Sequence, residues 1–232
     1  MRTKTLLLVA AISAVGLATS LAQSTNVYSA NIVGYVNYVN VPGYAMIANP
    51  LNSTNNTVQN IFASPPDYLT IFKRNAAGTG YDRASFDPDV PGWDNPTLTL
   101  APGEGCFLYN PLVGNYTNTF IGEVVLNSTN PIPTGFAIRG SVVPQSGGLQ
   151  TVLGLPLTPA DPQNTVVYRL KPFPGSVGGG YGIYRYDTED LGGTWTSSES
   201  PVEPAPAVGE GFWINNPAAN GAKSWIRNFT VN

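Results

Sequence analysis

Pro102-Gly103-Glu104-Gly105-Cys106-Phe107-Leu108-Tyr109-Asn110-Pro111 recurs further along the chain as Ala207-Val208-Gly209-Glu210-Gly211-Phe212-Trp213-Ile214-Asn215-Asn216-Pro217. Each copy reads as a glycine turn running into an apolar strand, because glycine supplies backbone conformations with φ > 0 at little cost. Working outward, Val41-Pro42-Gly43-Tyr44-Ala45-Met46-Ile47-Ala48 recurs as Ile132-Pro133-Thr134-Gly135-Phe136-Ala137-Ile138-Arg139. Between these landmarks Ile71-Phe72-Lys73-Arg74 answers Val167-Tyr168-Arg169-Leu170, Gly80-Tyr81 answers Gly180-Tyr181, and Trp93 answers Trp195. Five landmarks in one order point to two copies of one module.

Composition agrees with a β-rich chain. Of the 232 residues, 25 are Gly and 21 are Pro, which leaves little room for long helices. Charged residues make up 11%, against about 25% in an average domain. Runs rich in Val, Ile, Tyr, Phe and Thr, bounded by Gly, Pro and Asn, predict strands at 31–41, 44–48, 68–74, 104–109, 118–126, 135–142, 165–170, 181–186, 210–214 and 223–231. Two short helical turns are expected, at Val58 to Phe62 and Leu149 to Leu153, with Asn56 and Gly147 at their starts. The expected fold is all-β: two tandem homologous small modules, β-barrel or β-sandwich, packed together. Similar strands around Ile32–Val36, Phe120–Val124 and Trp225–Val231 frame the copies, and sharing of the middle one would lock the modules together.

The N-terminus reads as an export signal. Arg2 and Lys4 precede the apolar stretch Leu6 to Leu17, and Ser20-Leu21-Ala22 supplies a small-residue cleavage site. The expected organisation is a signal peptide at 1–22, a first module at 23–122 and a second at 123–232. The expected location is secreted or cell-surface, with no integral membrane segment after cleavage. The opening Val27-Tyr28-Ser29-Ala30-Asn31-Ile32-Val33-Gly34-Tyr35 and the repeated Gly-Glu-Gly motifs, the first of which departs with Cys106-Phe107 where the second has Phe212-Trp213, resemble a module of uncharacterised secreted bacterial tandem-repeat proteins. Its pattern is a Gly-aromatic-x-Leu/Ile-Ile strand followed by Pro-Gly-x-Gly-Phe/Tyr-Trp. That resemblance implies a secreted or surface β-protein and carries no catalytic residues with it.

Several chemistries are excluded or narrowed. The chain has no histidine, so His-based triads and His–metal sites are out, and its one cysteine leaves no intrachain disulfide. Cys106 reads as a buried small hydrophobe. A net charge of −3 gives no nucleic-acid footprint. Glu104 and Glu210 invite comparison with a carboxylate pair of a glycosidase, but duplication puts each in its own module. The loops holding Asp87, Asp89 and Asp94, and Asp187, Glu189 and Asp190, would suit calcium, the one cofactor the sequence suggests.

Trp93 and Trp195 sit among loop residues and, with Tyr81 and Tyr181, are the candidate ligand-binding aromatics. Trp213 and Trp225 lie inside strand patterns and are expected in the core. Aromatic faces with few charges suit a neutral polysaccharide. From Gln23 to Pro66 there is no charged residue, so the strand at Ile32–Val41 lacks the charges that protect an edge and is a candidate for self-association. The leading functional expectation is a secreted, non-catalytic structural or adhesive component of the cell surface or matrix. A carbohydrate-binding module, with or without calcium, is the alternative, and a glycosidase comes third.

Overall fold

The Gly-Glu-Gly motif builds the same local structure twice. The Glu104 N–H donates to the Ala101 carbonyl at 2.9 Å and the Glu210 N–H to the Ala207 carbonyl at 3.1 Å, closing a four-residue turn in each copy. The third turn residue is Gly103 in one and Gly209 in the other, with φ of 80° and 81°. This is the type II turn, whose third position requires positive φ. The glutamate then folds back, and its Oε2 accepts the N–H of Ala101 or Ala207 at 2.8 and 2.9 Å.

The computed structural model describes residues 32–89, 92–172 and 179–230. The expected signal peptide at 1–22 lies outside these residues. Seven strands precede the middle of the chain: β1 (Val33–Asn40), β2 (Gly43–Ala48), β3 (Thr70–Arg74), β4 (Tyr81–Asp87), β5 (Gly92–Trp93), β6 (Gly105–Asn110) and β7 (Tyr116–Glu123). Seven more follow: β8 (Asn127–Ile132), β9 (Gly135–Arg139), β10 (Thr165–Leu170), β11 (Tyr181–Asp187), β12 (Thr194–Ser197), β13 (Phe212–Asn216) and β14 (Lys223–Asn228). One short helix, α1 (Val58–Ile61), lies between β2 and β3.

The first half forms a sheet of order β2-β6-β3-β4-β5, and the second a sheet of order β9-β13-β10-β11-β12. These are the same order once β2–β6 are matched with β9–β13. In each half the first and last strands pair as a separate ribbon, β1 with β7 and β8 with β14. Neither sheet closes on itself, so the modules are sandwich-like and all-β. The framing strand between the copies is two strands and not one shared strand. β7 ends at Glu123, and β8 begins at Asn127. The Asn-Ser-Thr-Asn-Pro-Ile sequence of β8 lacks the apolar alternation that marks a strand; its pairing to β14 makes it one. The short strands β5 and β12 escape notice because they are only two and four residues long.

Each sheet turns one face inward. Ile47, Ile71, Ala84, Cys106 and Leu108 meet Phe62, Phe120 and the residues of α1 in the first core. Val167, Tyr184, Tyr186, Phe212 and Ile214 meet Leu149, Leu153 and Trp225 in the second. Leu149 to Leu153 forms a hydrogen-bonded turn, with the Val152 N–H on the Gly148 carbonyl at 3.0 Å, and no regular helix. Trp225 is fully buried, and its indole donates to the Leu153 carbonyl at 2.7 Å, tying ribbon to turn. Cys106 is fully buried, and burial pushes its thiol far above the ordinary range, which leaves it inert.

The halves belong to one compact unit and interlock reciprocally. The Ala48 N–H donates to the Gly209 carbonyl at 2.9 Å, and the Gly140 N–H to the Gly103 carbonyl at 3.1 Å. Ile47 bridges Glu210 while Arg139 bridges Glu104. Register makes these contacts equivalent: Ile47 pairs with Cys106 in one sheet as Arg139 pairs with Phe212 in the other. Each turn is therefore gripped by the other module's first sheet strand. The interface is isologous, like that of a symmetric dimer, but within one chain.

Candidate functional site

Period-two alternation decides what the sheets show to the outside. With Cys106 and Leu108 pointing inward, Phe107 and Tyr109 point outward. With Phe212 and Ile214 inward, Trp213 points outward. The outward side chains are aromatic on nearly every strand. In the first module Tyr44 contacts Phe72 and Tyr109, with ring centroids 6.2 and 5.0 Å apart, and Tyr81 meets Phe107 at 6.0 Å. In the second, Phe136 meets Tyr168 and Trp213, both at 6.0 Å, and Tyr168 meets Tyr181 at 6.4 Å.

The two sets join at the junction. Phe107 and Trp213 occupy the same register position in their sheets and contact each other edge to face at 6.1 Å. Arg74 of β3 lies over the Trp213 ring, 5.3 Å from its centroid. Burial raises the Tyr181 pKa, and a hydrogen bond with the Trp213 side chain works against this. Nine aromatic rings thus form one shelf across both modules. Tyr81 and Tyr181 remain 44% and 38% exposed. Arg74, Phe136, Tyr168, Tyr181 and Trp213 line a shallow concavity of about 380 Å³ on it.

The candidate aromatics of the sequence divide accordingly. The structure places Tyr81 and Tyr181 on the shelf. It places Trp93 and Trp195 elsewhere, at 9% and 8% exposure in the two cores, so neither of these candidate aromatics stands on the shelf. Trp93 packs on Phe86 at 5.9 Å and Trp195 on Tyr186 at 5.4 Å. Their loop-like neighbours belong to short edge strands that cover the ends of the cores. Trp213, expected in the core, is half-buried on the shelf. Alternation between Phe212 and Ile214 is the signal that finds it.

The acidic candidates are separately engaged. Asp94 accepts from the Ser85 N–H at 2.7 Å and from Arg83 at 3.0 Å. Asp87 accepts the Asp89 N–H and Asp187 the Asp190 N–H, each at 2.9 Å, and Glu189 accepts from Asn164 at 2.8 Å. Asp89 faces the Tyr68 hydroxyl at 3.5 Å, and its charge is the main cause of a raised Tyr68 pKa. Among the described residues no three acidic or cysteine side chains converge as a metal set.

Glu104 and Glu210 are held alike. Lys73 reaches Glu104 at 2.7 Å, and Arg169 makes a two-pronged pair with Glu210 at 2.7 and 2.9 Å. Burial works against the Arg169 charge, but its bonds to Glu210 outweigh this and raise its pKa.

Two clefts flank the junction at equivalent places. The larger, about 530 Å³, is lined by Lys73, Arg74, Asp82, Glu104, Phe136 and Arg139 among others. The smaller, about 200 Å³, includes Tyr44, Met46, Leu170 and Glu210. Burial lowers the Arg139 pKa, with Glu104 acting the other way.

On the β1–β7 ribbon, Val33, Tyr35, Val39 and Ile121 form an uncharged exposed row, with Tyr35 73% exposed. No helix among the described residues is long and apolar enough to cross a membrane. Among protein-family models, curated proteins and solved structures, none matches this chain.

Proposed function

We propose that the protein is a non-catalytic adhesive β-protein of the cell exterior that holds a polysaccharide on its aromatic shelf. The observation that carries this reading is the nine-ring surface continuing from one module to the other. Exposed apolar surface of this extent marks a binding site more than a packing accident. Pyranose rings present flat C–H faces to such rings, and tyrosine hydroxyls at the rim serve the sugar hydroxyls. Glu104 and Glu210, the matched pair among the acids a glycosidase could draw on, are each committed to a turn and an ion pair. Export by the expected signal peptide places the shelf where polysaccharides are met.

The test is affinity electrophoresis of the full chain in gels containing soluble pyranose polymers. Trp213→Ala is expected to weaken retention by at least about tenfold, since it removes the ring shared by both modules. Retention unchanged by Trp213→Ala, or no retention by any polymer, would overturn the reading.

Assembly of copies through β1 is a second reading, favoured by the uncharged exposed row on that strand. Light scattering across a concentration series decides it: multimers that grow with concentration support assembly, and a constant monomer rules it out.

A further inference from the structure

The larger junction cleft opens beside the shelf and shares Arg74 and Phe136 with it. Two of its cations, Arg74 and Arg139, are not demanded by the fold, because the matching register positions of the other half are apolar. Arg74 ends β3 opposite Tyr81, whereas Leu170 ends β10 opposite Tyr181. Arg139 stands opposite Phe212 where Ile47 stands opposite Cys106. At the matching register positions the other half has Leu170, which lines the smaller cleft, and Ile47, which is buried in the first core; the smaller cleft's own cation, Lys171, is paired with Glu199.

Neither arginine makes an ion pair among the described residues. Arg74 donates to the Gly78 carbonyl at 2.6 Å, and Arg139 to the Pro131 and Ile138 carbonyls at 2.8 and 3.0 Å. A guanidinium has five N–H donors, so both keep donors to spare. Glu104 and Asp82 also line the cleft, but Glu104 is already neutralised by Lys73. The shelf has the same bias. The outward positions beside its rings carry Arg74 and Arg185 as cations without an ion pair among the described residues, while Arg83 is paired with Asp94. This is a cationic face on a chain of net charge −3.

We propose that the polysaccharide is acidic, and that Arg74 and Arg139 take its carboxylate or sulfate groups while Trp213 and Phe136 stack on its rings. The anion is named by shared chemistry: planar guanidinium donors bind carboxylate and sulfate oxygens, and stacking on Trp213 holds Arg74 in place. This inference rests on the shelf being a polysaccharide site, and it replaces the neutral glycan expected from composition with a charged one.

The test compares matched polymers at low ionic strength, where charge contacts are least screened. Polygalacturonate against its methyl ester reads the carboxylate, and dextran sulfate against dextran reads the sulfate. The full chain is expected to bind at least one charged polymer about tenfold more tightly than its uncharged counterpart. In the Arg74→Gln/Arg139→Gln variant that ratio is expected to fall to near one. Equal binding of both members of each pair, or a ratio unchanged in the variant, overturns the inference while leaving the shelf as a polysaccharide site. Failure of every polymer to bind overturns the shelf itself. Tighter binding of single-stranded poly(dT) than of either polyanion would make the face a nucleic-acid surface and overturn the inference too.

Discussion

Replacing Glu210 with alanine is expected to cost about 3–5 kcal/mol of folding stability, whereas Glu104→Ala costs about 1 kcal/mol. The two glutamates have the same turn, the same bond to the turn's first N–H and an equivalent cation on the neighbouring strand. They differ in burial. The Arg169 and Glu210 side chains are 3% and 8% exposed; those of Lys73 and Glu104 are 18% and 30% exposed. Removing Glu210 takes the carboxylate away from a buried guanidinium that keeps the neutral Tyr184 hydroxyl but cannot return to water, while Lys73 can. In a chain of this size the first loss corresponds to a melting temperature lower by about 10 °C. Thermal unfolding of the two variants checks it, and equal shifts would contradict the assignment. Replacing both partners, as Arg169→Met/Glu210→Leu, should recover part of the loss, because no charge is then left buried alone.

Gly211→Ala carries the second large effect. A methyl group there would lie 2.5 Å from the Ile47 carbonyl oxygen and 2.8 Å from its carbon. Both are backbone atoms of the other module, so the junction has to move apart. The expected cost is about 3 kcal/mol, at the upper end for overpacking. The parent is expected to melt in one calorimetric transition, and in Gly211→Ala that transition should broaden or split as the modules uncouple. Gly114→Ala is the control: its added methyl meets nothing within 4 Å, and its backbone is not in the left-handed region. A Gly211→Ala protein that melts like the Gly114→Ala protein would mean the modules are not interlocked as described.

Much of this architecture can be read from residues. The repeated Gly-Glu-Gly turn, the strands after it and the buried Cys106 follow from spacing and alternation alone. What escaped has a physical cause in each case. The strand β8 is polar because one ribbon face is wet and on the other Asn130 donates to the Gly103 carbonyl of the opposite module's turn and to the Gly140 carbonyl of its own module. Trp93 and Trp195 look like loop residues because the strands that bury them are two and four residues long. The shelf could not be seen as one surface, since its continuity depends on the packing of the two modules. No local pattern brings Phe107 to Trp213 or Arg74 over a ring of the other half. Tyr81 and Tyr181 were recognisable as a matched pair, but their common face is a product of the junction.

The most direct measurement is tryptophan emission during titration with a bound polysaccharide. Three of the four tryptophans, Trp93, Trp195 and Trp225, are buried, and Trp213 alone stands on the shelf. A shelf that holds the ligand predicts a shift in emission for the parent and none for Trp213→Phe, in which the phenyl ring preserves the sheet. An emission change that persists in Trp213→Phe would place the ligand away from the shelf and contradict the proposal.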